Sequence, residues 1–319
     1  MGAIGIIGAT GAVGQAIASL LREQGLHYVA IGRERAKLDA LFGDDPHAEC
    51  RTWDTQSATS LTDALSQVES VIYLIGVEYW KFQLHPLLMQ RALDGARAAG
   101  VKRLLLVGTV YPYGLPRTAL VREAHPREPQ TFKGTMRKQQ EDLVLAAHLP
   151  GEFETVVLRL PDLYGPRMEK SFLTSAFASA PSGKRATLLG PIDLPHEFAF
   201  IPDCASVTLR LLDEPHGYGT SWNYGGPEAI TQREFADMIY RECGTKPRYM
   251  VASKTMLRML GIVDPMMREL VEMHYLLTKP VILDDTRLRA LLGDLPKTPY
   301  LDGIRRTLAG ASVRAVISG

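Results

Sequence analysis

A doubly wound parallel α/β sheet with a smaller mixed C-terminal substrate domain is predicted by three observations. An apolar strand at 4–7 runs straight into the turn Gly8-Ala9-Thr10-Gly11-Ala12-Val13-Gly14 and then into an amphipathic helix. Short apolar runs alternate with helix-period segments through the first half of the chain. After Pro166 the alternation stops, and Pro166, Pro181, Pro191, Pro195 and Pro202 punctuate the next forty residues or so.

Strands are expected at 4–7, 28–31, 50–53, 70–75, 103–107 and 155–159. Several are near-continuous apolar runs, as burial on both faces requires. The helix at 12–24 carries Val13, Ile17, Leu20 and Leu21 on one face. Further helices are expected at 35–41, 61–64, 84–99 (with Gly100 as a plausible C-cap) and 135–147. In the second half Asp203 is placed to N-cap a helix at 204–212. A strand at 221–224 returns to the main sheet, and Thr231 with Glu234 forms a capping box for a helix at 232–243. Helical stretches at 254–260 and 266–277 come next, and the tail from Ala309 reads as weakly tethered. The expected division is a dinucleotide-binding unit over 1–165, with a returning segment near 198–225, and a smaller substrate-binding unit from 166–197 plus 226–308.

The 319 residues are 46% hydrophobic and 22% charged, with a net charge of +1. That balance gives no reason to expect nucleic acid or an anionic membrane as partner. Cys50, Cys204 and Cys243 are far apart and lack metal-type spacing. They point to a reducing, cytoplasmic setting and to no bound metal. No apolar run reaches the about 18 residues of a membrane span, and the first strand begins without a basic n-region, so no leader is expected.

The glycine turn carries the chemistry. Gly8 permits the tight turn, Gly11 lets backbone N–H groups approach a pyrophosphate, and Gly14 lets helix and strand pack closely. Thr10, Ala12 and Val13 complete the loop, and the helix N-terminus supplies partial positive charge. The expected ligand is a nicotinamide dinucleotide. At the end of the second strand, Ala30-Ile31-Gly32-Arg33 offers an arginine for a 2′-phosphate and no acid at the tip. NADP(H) is therefore expected, while Glu34 keeps NAD(H) open. Asp54 sits where a short polar residue meets adenine, or where it simply forms a turn. Leu74, Ile75 and Gly76 bring the backbone close to the cofactor.

Four segments resemble the extended short-chain dehydrogenase/reductase superfamily, in its NAD-dependent epimerase/dehydratase branch: the Gly8 to Gly14 turn, Gly108-Thr-Val-Tyr-Pro-Tyr-Gly114, Arg159-Leu-Pro-Asp-Leu-Tyr-Gly-Pro166 and Phe198-Ala-Phe-Ile-Pro-Asp203. The resemblance implies that Thr109 orients a substrate oxygen and that Pro161 to Leu163 cradle the nicotinamide. It also implies a Tyr-x-x-x-Lys pair on the following helix, from which this chain departs. Aligned with that helix, Lys133 stands at the tyrosine and Arg137 at the lysine, with Glu141 and Leu143 keeping the register. The chain resembles an atypical branch without the catalytic tyrosine.

Lys133 and Arg137, four residues apart, share one helix face. Burial, the guanidinium and an oxidised nicotinamide ring would each disfavour the ammonium form of Lys133. The lysine is then a candidate general acid or base; the alternative is that both cations anchor ribose hydroxyls and phosphate of the cofactor. Tyr111 is a further catalytic candidate. Tyr79 and Trp80 suit a flat or apolar substrate wall, with core packing as the equal alternative. Tyr113, Tyr164 and His196 are substrate candidates that have structural readings as well.

The implied function is NADP-dependent reduction of a carbonyl or other polarised double bond on a small organic substrate. The alternatives are a nucleotide-sugar epimerase or dehydratase and a non-catalytic NADP-binding sensor. A homodimer is expected on the helices at 84–99 and 135–147, through Leu88, Ala92, Ala96, Leu143 and Ala147.

Overall fold

Strand and helix alternate through residue 160 in the order β1 (Ala3–Ile7), α1 (Ala12–Glu23), β2 (Tyr28–Gly32), α2 (Arg35–Phe42), β3 (Ala48–Thr52), α3 (Ser60–Ala64), β4 (Val68–Tyr73), α4 (Leu84–Ala98), β5 (Arg103–Thr109), α5 (Phe132–Ala146) and β6 (Glu154–Leu160). There follow β7 (Asp162–Tyr164), α6 (Thr174–Ser179), β8 (Ala186–Leu189), β9 (Pro195–Phe200), α7 (Ile201–Asp213), β10 (Ser221–Asn223), β11 (Ala229–Thr231) and α8 (Gln232–Glu242). The chain ends with β12 (Tyr249–Ala252), α9 (Lys254–Leu260), α10 (Pro265–Met273), α11 (Tyr275–Thr278), α12 (Thr286–Leu292) and α13 (Tyr300–Ile317). The computed structural model describes residues 2–57, 59–168, 171–262 and 265–317.

Seven strands form one parallel sheet in the order β10-β6-β5-β4-β1-β2-β3. The order reverses between β1 and β4, and in such sheets the crevice at that switch point is where ligands bind. Successive side chains of β1 point to opposite faces. Ile4 and Ile6 pack with Ile17 and Leu21 of α1 and with Ala205 and Leu211 of α7. Ile7 packs on the other side with Leu88, Met89 and Ala92 of α4 and Val144 of α5.

That second face corrects the basis of the expected dimer. Leu88, Ala92, Ala96 and Ala147 are buried against their own sheet, and Leu143 is packed against the same core. Their small apolar character answers helix-on-sheet packing.

In the second half β9 pairs with β7 in parallel and with β11 antiparallel, while β12 pairs with β8. The return to the main sheet is made by α7 and β10, so β9 belongs to the smaller layer. Tyr164, Phe198, Phe200, Phe235, Tyr240 and Tyr300 form the core there. The capping box is present, with Glu234 N–H donating to Thr231 Oγ1 at 3.1 Å and Thr231 N–H donating to Glu234 Oε2 at 3.0 Å. Asp203 does not cap its helix. Pro202, whose fixed φ suits a first turn, lets α7 begin at Ile201, and the Asp203 carboxylate instead accepts from Thr298 N–H at 2.7 Å and Thr298 Oγ1 at 2.8 Å. The stretch 266–277 divides into α10 and α11, and the tail beyond Ala309 continues α13. Among the described residues no helix is long and apolar enough to cross a membrane.

Glu197, on β9, is buried, and its carboxylate accepts from Leu283 N–H at 3.0 Å. Burial pushes this carboxyl up to about 7, against the Leu283 N–H and Lys297. The folded state thus holds the proton more tightly than the unfolded chain. Stability from this group is full below the unfolded value near 4.5 and is lost as pH rises through about 7. We expect Glu197→Gln to flatten that slope by on the order of 3 kcal/mol. Urea unfolding on either side of the window measures it, and an unchanged slope counts against the assignment.

Candidate active site and cofactor cleft

The turn after β1 fits a dinucleotide for reasons visible in the backbone. Gly8 has φ +90°, a conformation that side-chain-bearing residues avoid. A Cβ on Gly14 would lie 2.6 Å from Ala9 O, so the close fit of α1 onto the strand demands glycine. A Cβ on Gly11 would meet only Gly8 O at 3.5 Å, so protein packing leaves room there. No side chain caps the first turn of α1, whose amides are therefore left for an anion. Thr10, Ala12 and Val13 flank this opening. Gly76 follows Leu74 and Ile75 beyond the end of β4, and a Cβ on it would meet no protein atom within 4 Å.

At the tip of β2 the Arg33 side chain is exposed and has no hydrogen bond or ion pair among the described residues. Arg35 is engaged with Asp39 at 2.8 Å, and Glu34 is exposed at the start of α2. Asp54 is exposed, and its Oδ1 accepts from Gln56 N–H at 2.9 Å, a turn-forming bond.

The catalytic candidates sit on β5, α5 and the turn between them, with α10 packed nearby. Thr109 is the last residue of β5, and its Oγ1 accepts from Tyr111 N–H at 3.4 Å. Thr131 caps α5 by accepting from Gly134 N–H at 3.0 Å. The cap fixes Lys133 in the first turn and Arg137 one turn later. Lys133 is 1% exposed, and its amine bonds the carboxylates of Glu269 and Glu272 on α10. Its backbone N–H also donates to Glu272 Oε1, at 2.9 Å. The rings of Phe82 and Tyr79 lie 5.7 and 6.0 Å from the amine. Two carboxylates from α10 thus meet the buried amine.

Arg137 donates to Gln140 Oε1 at 2.7 Å and faces His85 Nδ1 at 3.2 Å. Burial and this guanidinium pull His85 down to about 2, so the ring is neutral and able to accept. Tyr79 and Tyr111 place their hydroxyls 3.5 Å apart. Burial raises both above the ordinary phenol range, Tyr111 the more, with Tyr79 and Asp162 adding to it. They can donate a proton or hold a substrate oxygen, but they are poor bases.

Other candidates land elsewhere. Tyr113 is buried, donating to Asn223 Oδ1 and accepting from Arg159 Nη1, both at 2.7 Å. Tyr164 is 1% exposed among Phe200, Phe235 and Tyr300. Both rings are engaged in these buried contacts, in line with their structural reading. His196 is largely buried, with Nε2 2.5 Å from Asp162 Oδ2, between Pro161 and Leu163. Trp80 is 46% exposed beside Tyr79, on the short turn that α10 covers.

Glu269, Glu272, Phe82, His85 and Asp162 were not singled out from sequence. The one available signal was the pair of acids three residues apart on the Met-rich stretch 266–277, a spacing that puts both on one helix face.

A family model described as NAD dependent epimerase/dehydratase family matches residues 4–225. A dTDP-6-deoxy-L-talose 4-dehydrogenase (NAD(P)(+)) of Kitasatospora kifunensis is 24% identical over 254 residues, covering 76% of this chain and 79% of that protein. Among solved structures, the Bordetella bronchiseptica enzyme WbmH in complex with NAD+ superposes with a TM-score of 0.77 at 20% identity, covering 98% of this chain and 99% of the other. The UDP-glucuronic acid 4-epimerase of Bacillus cereus, in complex with UDP-glucuronic acid and NAD, gives 0.80 at 18% identity over the same shares. These likenesses establish the fold.

Proposed function

Because the chain belongs to the NAD dependent epimerase/dehydratase family, whose relatives are NAD(P)-dependent enzymes, we propose that it is an NADP-dependent oxidoreductase that reduces a carbonyl group on a small organic substrate. Nucleotide-linked keto sugars are the first class to try, since the K. kifunensis relative is named for a dTDP-sugar. The observation that carries the reading is the Lys133 amine, enclosed between two carboxylates at the first turn of α5. A lysine at this place would be the proton donor that the oxygen of a reduced carbonyl needs. The bound dinucleotide would supply the hydride. Thr109, at the end of β5, is suited to orient the oxygen, and Gly8 to Gly14 with Arg33 would hold the cofactor.

A second reading, epimerisation or dehydration of a nucleotide sugar through transient oxidation, draws on the B. cereus neighbour. It requires a base at the start to take the proton of the sugar hydroxyl. Incubation with NADPH or NADH and a panel of nucleotide-linked keto sugars separates the readings. Net consumption of reduced cofactor supports reduction, whereas product without consumption supports epimerisation. Binding without any turnover across the panel would favour a sensor.

The NADP preference has its own expected result. Arg33→Ala should lose about 1.5–3 kcal/mol of NADP(H) affinity, as for a charge-assisted hydrogen bond, with NAD(H) affinity unchanged. Fluorescence titration of both cofactors measures it, and equal affinities in the unsubstituted protein would sink the preference.

A further inference from the structure

We infer that Glu269 and Glu272 of α10 are positioning residues for Lys133: they hold its amine as an ammonium group at the reacting end and pass it replacement protons from solvent. This rests on the reading of Lys133 as proton donor. Lys133 is 1% exposed, and a lysine so buried needs partners to stay charged. Arg137 is no help, being a like charge one turn along the same helix. Glu272 grips the residue twice, through the backbone N–H and the amine, which fixes where the side chain starts and where it ends.

The two carboxylates are also the link to water. Their side chains are 19% and 26% exposed, against 1% for Lys133. The rings of Tyr79 and Phe82 also lie near the amine, but both are less directly joined to it than the carboxylates that bond it. The arrangement is packed in place: Met273, one residue past Glu272, belongs to the buried cluster of Val110 and Tyr113, and α10 lies on the Tyr79–Lys81 turn. Two acids three residues apart on one helix face repel, and the lysine between them removes that cost.

The proton balance closes. An N–H bond of the Lys133 ammonium breaks as an O–H bond forms on the substrate oxygen, the hydride from the reduced dinucleotide having gone to carbon. Lys133 is left as a neutral amine. A proton taken from water by the Glu272 carboxylate then restores the N–H bond.

Acetylation of Lys133 by a limiting amine-reactive ester, followed by peptide mass spectrometry, reads the enclosure in the ligand-free protein and needs no substrate. With Glu269→Gln and Glu272→Gln together, we expect labelling of Lys133 to rise about tenfold near neutral pH, because a released amine is both barer and more nucleophilic. An unchanged rate overturns the inference. Should the double variant fail to fold, Glu272→Gln alone is expected to label at an intermediate rate, and an unchanged rate there is equally decisive. Turnover supplies the second arm. Glu272→Gln should lower kcat by about tenfold with KM within about twofold, and Glu272→Asp should recover part of it. Loss in Lys133→Met without loss in Glu272→Gln overturns the role of the carboxylates and leaves the donor standing. No loss in Lys133→Met overturns the donor reading, and this inference with it, whatever the labelling.

Discussion

Lys133→Met is expected to cut the rate of carbonyl reduction by about 10²–10⁴-fold, roughly 3–5 kcal/mol of barrier, while NADPH binding stays intact. Methionine keeps the length and apolar stem of lysine, so the packing against Phe82 and Tyr79 survives while the proton and the ion pairs to Glu269 and Glu272 are lost. Lys133→Tyr, which sets a phenol beside Arg137, should recover part of the rate, and Thr109→Val should weaken turnover by removing the hydroxyl at the end of β5. The measurement is kcat on one confirmed substrate together with the NADPH dissociation constant. A near-normal kcat would move the proton source to Tyr111 or water. A lost NADPH site would make Lys133 a cofactor anchor instead.

The largest expected effect on stability lies deeper. Arg159 of β6 and Glu141 of α5 are each about 1% exposed. The Arg159 guanidinium donates to Glu141 Oε2 at 2.8 Å and through Nε at 3.1 Å, and it lies 4.7 Å over the Tyr113 ring. Burial works against this charge, and Glu141 more than restores it. Glu141→Ala should cost about 3–5 kcal/mol, because it strands a buried cation rather than merely deleting a contact. Replacing both partners, by Glu141→Leu with Arg159→Met, should cost distinctly less than the single change. Urea unfolding of the three variants decides it, and a loss below about 1 kcal/mol for Glu141→Ala would contradict the account.

The features legible in the sequence were the local ones. The Gly8 to Gly14 turn declares itself because strand, turn and helix start lie within one short window, and each glycine answers a different backbone demand. Thr231 and Glu234 were legible for the same reason. The alternation of β1 to β6 with helices gave the parallel sheet, and β10 was found because its apolar run is short and bounded. The strands β7, β8, β9, β11 and β12 escaped, since three or four residues leave too few repeats for a period to register. The partners of Lys133 escaped for another reason: Glu269 and Glu272 are 136 and 139 residues away, and no pattern along the chain marks a contact made only by folding. The Tyr113 bond to Asn223 was hidden in the same way, its partner lying 110 residues on. The residues expected to make a dimer misled because small side chains serve a helix on a sheet and a helix on a helix alike.

The distance between Lys133 and its carboxylates also sets an order of events in time. Synthesis runs from the N-terminus, and Asn223 completes the last strand of the main sheet well before Glu269 is made. A nascent chain stopped between them carries the residues of all seven strands, the glycine turn and the lysine, but neither carboxylate that pairs with its amine. The glycine turn is thus synthesised long before the carboxylates that enclose Lys133, which arrive with α10, three helices before the end of the fold.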